Sequence, residues 1–213
     1  MGQMGFKQEF FRWRKKYEKQ GHRFYKKLSD VIIPVQNFKV GDMVMFTNDY
    51  GVVFGPMEIL GFCIPENDRC VYLNKSSYWF AVRPDQLMLA SEYEAEKRLE
   101  KFKSIAESLG WSVNVGDDDI ELSQYSPAGQ DFSFTIRKYC DYVKEIYGYY
   151  DDYDPSAETM LWVDSEGHGK NGAPHNLEDV LADMKAVEKM LETLYDALFE
   201  ARRKEVEDGE VSD

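Results

Sequence analysis

The sequence predicts an α+β fold, and three observations carry that expectation. Residues 5–28 set aromatics at helical spacing among basic residues. Residues 38–89 form a run of short apolar stretches punctuated by glycine and turn residues. From Glu92 the apolar period changes to that of a helix, then to strand alternation, then back to helix.

The N-terminal element comes first. In "GFKQEFFRWRKKYEKQGHRFYKKL", Phe6, Phe10, Trp13 and Tyr17 recur every three or four residues, which places them on one helical face. Arg12, Lys15, Lys16 and Lys19 fall largely on another, with Arg14 between the two. Gly21 is expected to end or bend this helix, and Pro34 marks the passage to extended chain.

Residues 38–90 are expected to form a small barrel. Within "VGDMVMFTNDYGVVFGPMEILGF", Val44 and Phe46, then Val52 and Phe54, then Ile59 and Leu60 supply strand positions separated by glycines. Val44, Phe46, Val53 and Ile59 are expected to be buried, and Asn48-Asp49-Tyr50-Gly51 to be an exposed connection. The segment "RCVYLNKSSYWFAV" reads as two more strands, and Pro84 closes the run. Five short strands in about fifty residues fit an SH3-like barrel.

The third module is expected over residues 91–203. Ala95, Leu99, Phe102, Ala106 and Leu109 mark a helix, with Ser91 as N-cap, Glu94 completing a capping box and Gly110 as the stop. "WSVNV", "IELSQY" and "DFSFTI" alternate as three strands joined by turns. A helix is expected over 138–147, and Asp154-Pro155 should start a short one ending near Val163. Asn176 caps the longest helix, where Leu177, Val180, Met184, Val187, Leu191, Leu194 and Leu198 keep a heptad pattern. That stripe is read as a face packed on the sheet of a monomer, with a dimer seam as the alternative. Residues 204–213 are expected to be a frayed acidic tail, and residues 1–37 a basic arm.

The formal net charge is −13, unevenly distributed. Residues 1–40 hold ten Lys/Arg and three Asp/Glu, a balance of +7, and the remainder holds 16 against 36, a balance of −20. Cys63, Cys70 and Cys140 are an odd set with no C-x-x-C spacing, which argues against a disulfide framework or zinc site. No run approaches the ~18 apolar residues of a membrane span, and the N-terminus lacks an apolar core of signal-peptide type. A cytoplasmic protein with no cofactor, no metal and no membrane partner is expected.

Candidate chemistry is sparse. "DSEGHGKNGAPH", residues 164–175, offers His168 and His175 near Asp164 and Glu166, but H-x6-H is no helical metal pair. Lys170 is followed by Asn, which excludes a P-loop. A surface loop is the preferred reading, and a hydrolase or transferase using this loop the alternative. For binding, Tyr50, Tyr72, Tyr78 and Trp79 are barrel aromatics of the kind that stack bases or line peptide grooves, and Tyr50, Tyr78 and Trp79 are taken as candidates. Arg12, Arg14, Lys15 and Lys16 are candidates for nucleic acid through residues 7–27. In "YGYYDDYDPSAE", Tyr149, Tyr150, Asp151, Asp152 and Asp154 form a candidate acidic interaction face. The order helix–strand–strand–strand–helix after Glu92 echoes a double-stranded-RNA-binding domain, but Arg137 and Lys138 are followed by aspartates instead of a lysine cluster.

The stretches "QYSPAGQDFSFTI", "DYDPSAETMLWVD" and "NLEDVLADMKAVEKMLETL" resemble uncharacterised proteins of phages and integrative elements of gut bacteria. The "VGDMVMFTNDYGVVF…YWFAVRP" half is similar to accessory domains from the same setting. The resemblance implies a bacterial mobile-element context, with anti-defence roles, and assigns no functional residue. The expected function is therefore non-enzymatic binding of a macromolecule, most simply a protein.

Overall fold

The computed structural model describes residues 5–34, 36–164 and 176–210. The fold is α+β, and the chain divides into two compact units, residues 1–96 and 97–213.

The first unit opens with helix α1 (Phe6–Glu18). It ends where the sequence places the break, because Gly21 adopts φ +94°, a left-handed conformation that glycine takes without strain. Residues 22–27 are not helical, in line with the break expected at Gly21. They run alongside the sheet: Tyr25 N–H donates to the Phe62 carbonyl at 2.8 Å, and Leu28 N–H to that of Phe38 at 2.9 Å.

The sheet has strands β1 (Met43–Thr47), β2 (Val53–Glu66), β3 (Arg69–Leu73) and β4 (Leu87–Leu89), antiparallel in the order β3-β2-β1-β4. Five strands closing a barrel were expected, and no ladder closes this sheet. The difference arises at two places. Residues 53–66 form one strand instead of two, since Gly55-Pro56 sits in a register shift where proline's missing N–H breaks no ladder bond. "SSYWF" is turn, so only Val82 bridges β3, at Val71. At Gly55, with φ +135°, an added Cβ would lie 2.9 Å from the Val44 carbonyl oxygen, so a side chain there would collide with backbone.

Val44 and Ile59 are fully buried among Phe62, Val71, Leu73 and Val82, as the alternation predicts. Phe46 is half-buried, and Val53 is exposed: it pairs with Thr47 at the turn end of the ladder, beyond the core. Asn48–Gly51 is the exposed connection expected, closed by Asn48 Oδ1 accepting from the N–H groups of Tyr50 and Val52. A second apolar cluster sits beneath α1. Phe10, at 0% exposure, packs with Leu60, Tyr72, Trp13 and Phe24, the three rings centred 5.7, 5.8 and 6.0 Å from its own.

In the second unit, helix α2 (Ala90–Ser108) continues directly from β4, so Ser91 lies in its first turn and is not its cap. Strands β5 (Ser112–Val115), β6 (Asp119–Tyr125) and β7 (Asp131–Arg137) form an antiparallel sheet in that order, as expected. Helix α3 (Tyr142–Asp152) starts four residues later than expected, because Asp141 accepts from Lys144 N–H and caps it. Asp154 caps helix α4 (Pro155–Asp164), accepting from Ser156 N–H at 2.8 Å. Helix α5 (Leu177–Glu210) is capped by Asn176 and runs through the stretch expected to fray. Val187, Leu191 and Leu194 are fully buried, so the heptad stripe lies inside the unit, with Leu177 alone of that stripe exposed. Ile120, Leu122, Phe134 and Ile136 supply the sheet side of this core, and Phe102, Ala106 and Ile146 the helix side.

Phe10→Ala is expected to lower the stability of the first unit by about 3–5 kcal/mol, through lost burial and the cavity left behind. Phe6→Ala, at a ring 46% exposed, should cost less than about 1 kcal/mol. Urea unfolding followed by deuterium exchange in β2 and β3 distinguishes the two.

Candidate functional site

An open groove of about 930 Å³ lies in the first unit, between the end of α1, residues 21–25, the β2–β3 hairpin and residues 79–83. Its construction follows from Gly21 and Phe10. The aromatic anchor holds α1 on the sheet, the left-handed glycine reverses the chain, and the Tyr25–Phe62 pairing lays residues 22–25 along β2. Opposite, the hairpin turn is made by Asn67 and Asp68, both with positive φ, which asparagine and aspartate tolerate better than other side-chain-bearing residues.

The lining joins ring faces to guanidinium groups. Trp79 is 55% exposed and Phe80 50% exposed, although both belong to an apolar-rich segment. The Arg69 guanidinium lies 4.6 Å from the Phe80 ring centroid, a cation–π arrangement. His22 stacks on Tyr17 with centroids 4.0 Å apart. Arg23 has no ion pair among the described residues. Arg83 is tied to Asp49 at 3.0 Å and Asp85 at 3.1 Å, and these carboxylates hold its pKa above the ordinary value. Glu66 is the only carboxylate in the lining, so the groove carries more positive than negative groups.

The structure distributes the sequence candidates unevenly. Trp79 lines the groove, while Tyr78 tucks half-buried behind it at 5.0 Å in an edge-to-face pair. Tyr50, 92% exposed, stands on the 48–51 turn and is not part of the lining. Tyr72 is nearly buried in the Phe10 cluster, so it contributes floor and not platform. On α1, Arg12, Lys15 and Lys16 are exposed with no ion pair among the described residues. Arg14 is engaged by Glu18 at 2.8 Å and lies over Phe24. The basic face is therefore open even though the aromatic face is docked. Sequence reading placed Arg23 in the N-terminal basic patch but not in a groove, and it did not single out His22, Phe80 or Arg69. The alternation of ring and cation in "GHRFY" was the available signal.

The acidic candidates are largely occupied by local structure. Tyr149 donates its hydroxyl to the Thr135 carbonyl, Asp151 accepts from Tyr147, and Asp154 caps α4. Tyr150 lies half-buried, stacked near Tyr195, leaving Asp152 exposed. On the second unit's sheet, Arg137 is paired with Glu145 at 2.6 Å and Lys138 donates to the Gly116 carbonyl at 3.0 Å. The strand order of a double-stranded-RNA-binding domain is present without free cations at those positions.

The loop candidates His168, His175, Glu166 and Lys170 lie outside the described residues, as does the side chain of Asp164. Among the described residues no three His, Cys, Asp or Glu side chains stand together to hold a metal, and no helix is long and apolar enough to cross a membrane. Ser126 donates to Asp183 at 2.6 Å, but both are about 95% buried and Asp183 also accepts from Ala128 N–H. That pair clasps the β6–β7 turn to α5. Comparison with family models, curated proteins and solved structures finds no match.

The thiols are not poised as nucleophiles. Burial pushes Cys70 and Cys140 up to about 11, and raises Cys63 despite a hydrogen bond from the Tyr72 hydroxyl. A raised thiol pKa keeps the neutral form at pH 8. Iodoacetamide should then alkylate Cys140 roughly 20-fold more slowly than free cysteine, after allowing for the higher intrinsic reactivity of a more basic thiolate, and Cys70, at 0% exposure, more slowly still. Mass spectrometry of the native chain against the urea-unfolded chain reads this directly.

Proposed function

We propose that the chain is a non-enzymatic macromolecule-binding protein whose working surface is the groove of the first unit. One observation carries the reading: half-bare Trp79 and Phe80 share a cleft with Arg23 and Arg69, opposed by a single carboxylate. Monomeric proteins rarely leave large rings together at the surface unless something covers them. Half-exposed rings beside guanidinium groups suit a partner with flat faces and negative charge.

The first unit is read as an open SH3-like barrel. Supporting this, β2 is long enough to pair with β1 at one end and β3 at the other. A 3-10 turn at Pro84–Gln86 then delivers β4 back to β1. Small barrels of this kind serve as binding scaffolds more often than as catalysts. A cytoplasmic accessory role in a bacterial mobile element, including an anti-defence role, is the biological setting we propose for it.

The test uses the full chain with two bacterial extracts, one of nucleic acid and one of nuclease-treated protein. Deuterium exchange should slow in residues 21–25, 63–69 and 79–83 with at least one extract. Exchange unchanged in all three segments with both extracts would sink the groove as the working surface.

A further inference from the structure

We infer that the groove binds single-stranded RNA, an assignment that rests on the groove being the working surface. Two occupants fit its positive charge: an acidic peptide and a nucleic acid strand. The ring faces decide between them. The face of an aromatic ring carries negative π density, so carboxylates gain nothing by approaching Trp79 or Phe80 face-on. A base offers a flat neutral face to the ring and a phosphate to the neighbouring guanidinium. Trp79 is half-exposed and shares the lining with Arg69, whose guanidinium lies over the neighbouring Phe80 ring, so a ring for stacking and a cation for charge-assisted contact are present in one groove.

The strand must be unpaired, because the bases of a duplex are already stacked on one another and offer no free face. The groove holds about 930 Å³, near the upper end of the ~300–1,000 Å³ typical of clefts for a single bound molecule, and it is open to solvent, which suits a strand passing through. Outside the groove, Arg12, Lys15, Lys16 and Lys19, on and just after α1, are exposed with no ion pair among the described residues. Phosphates outside the groove would meet these side chains and release counterions.

Glu66 and Asn67 favour RNA over DNA. A carboxylate in a phosphate-binding cleft repels the backbone unless a donor reaches it. The ribose 2′-hydroxyl is such a donor, and Asn67 at the same hairpin can accept or donate to it. DNA lacks this hydroxyl and offers Glu66 only the N–H donors of its bases, which RNA offers as well.

The overall charge of −13 does not cancel this. At physiological salt the screening length is ~8 Å, so carboxylates farther than that from the groove weaken binding little. The first unit itself is close to neutral, with 13 Lys/Arg against 12 Asp/Glu in residues 1–96.

The experiment titrates the full chain into labelled 12-mer oligo-uridine, oligo-dT of equal length, a 12-base-pair RNA duplex and a poly-glutamate peptide, at 50 and 200 mM salt. Oligo-uridine should bind with a log–log salt slope of about −0.7 per phosphate contact. Arg23→Glu combined with Arg69→Glu should weaken it at least tenfold. Trp79→Ala should weaken it by about fivefold or more at both salts, with the slope unchanged, because stacking releases no counterions. Tyr50→Ala, outside the groove, should change nothing. Oligo-dT and the duplex should bind at least threefold more weakly than oligo-uridine. No binding of oligo-uridine at 50 mM salt, or binding that survives the groove variants, overturns the inference, and equal affinity for oligo-dT overturns its assignment to RNA. Poly-glutamate bound through the same arginines, with oligo-uridine unbound, would reject RNA and keep the groove as a protein-binding surface. If no probe binds and the extracts leave exchange unchanged, the groove reading itself fails.

Discussion

The Phe10 ring, held among Leu60, Tyr72, Trp13 and Phe24, fixes where α1 lies, and the groove follows from that position. Charge alone would not place this helix. Its ion pair to the sheet, Lys7 with Glu58 at 2.5 Å, is half-exposed on the lysine side and so contributes at most about 1 kcal/mol. A fully buried phenylalanine is worth about 1.5–3 kcal/mol from burial, and each well-placed aromatic pair adds about 0.5–1.5 kcal/mol. The apolar side of α1 therefore decides the docking, and the helical period of 3.6 residues turns Arg12, Lys15 and Lys16 away from it. A basic helix that docks through its aromatics keeps its cations available.

The charge pattern gains a different meaning once the units are separated. Residues 97–213 hold 13 Lys/Arg and 27 Asp/Glu, so nearly all of the negative balance belongs to the second unit. Part of that charge serves structure. Asp141 and Asp154 cap helices, and Asp183 is held by two hydrogen bonds inside the core. Carboxylates at helix N-termini are stabilised by the helix dipole and by unpaired N–H groups, which is reason enough for several of them. The acidic composition is thus partly a consequence of how these helices start.

What was legible in the sequence is what depends on neighbours in sequence. The alternation in "IELSQY" and "DFSFTI" and the heptad stripe from Val180 to Leu198 each matched the faces buried in the structure. The caps Asp154 and Asn176 could be read because capping is local chemistry. The misses depend on contacts far along the chain. Leu87–Leu89 is a strand only because β1 supplies its ladder, and three residues carry no period of their own. Strand β2 runs through Gly55-Pro56 because a register shift against β1 absorbs the proline, which no local rule foretells. The same holds for the groove. Trp79 was legible as an exposed-aromatic candidate. Arg23 was legible as part of the basic N-terminal patch, but its sharing a groove with Arg69, 46 residues on, was not, since that depends on the Tyr25–Phe62 pairing.

The second unit carries the larger share of regular structure, yet the two cations that its strand order would aim at a phosphate are engaged elsewhere. Its helix–strand–strand–strand–helix order would place Arg137 and Lys138 where a phosphate contact belongs. Arg137 is instead bound to Glu145, and Lys138 to the Gly116 carbonyl, so a phosphate would have to displace an internal partner to reach either. In the first unit the balance differs: Arg23 and, on α1, Arg12, Lys15 and Lys16 have no ion-pair partner among the described residues, and Arg69 rests on a ring and not on a carboxylate. A free cation meets an anion at little cost, whereas an engaged one must first give up a hydrogen bond to a charged or carbonyl oxygen. That comparison is why the proposed recognition is assigned to the first unit, even though the second contains the strand order of a nucleic-acid-binding domain.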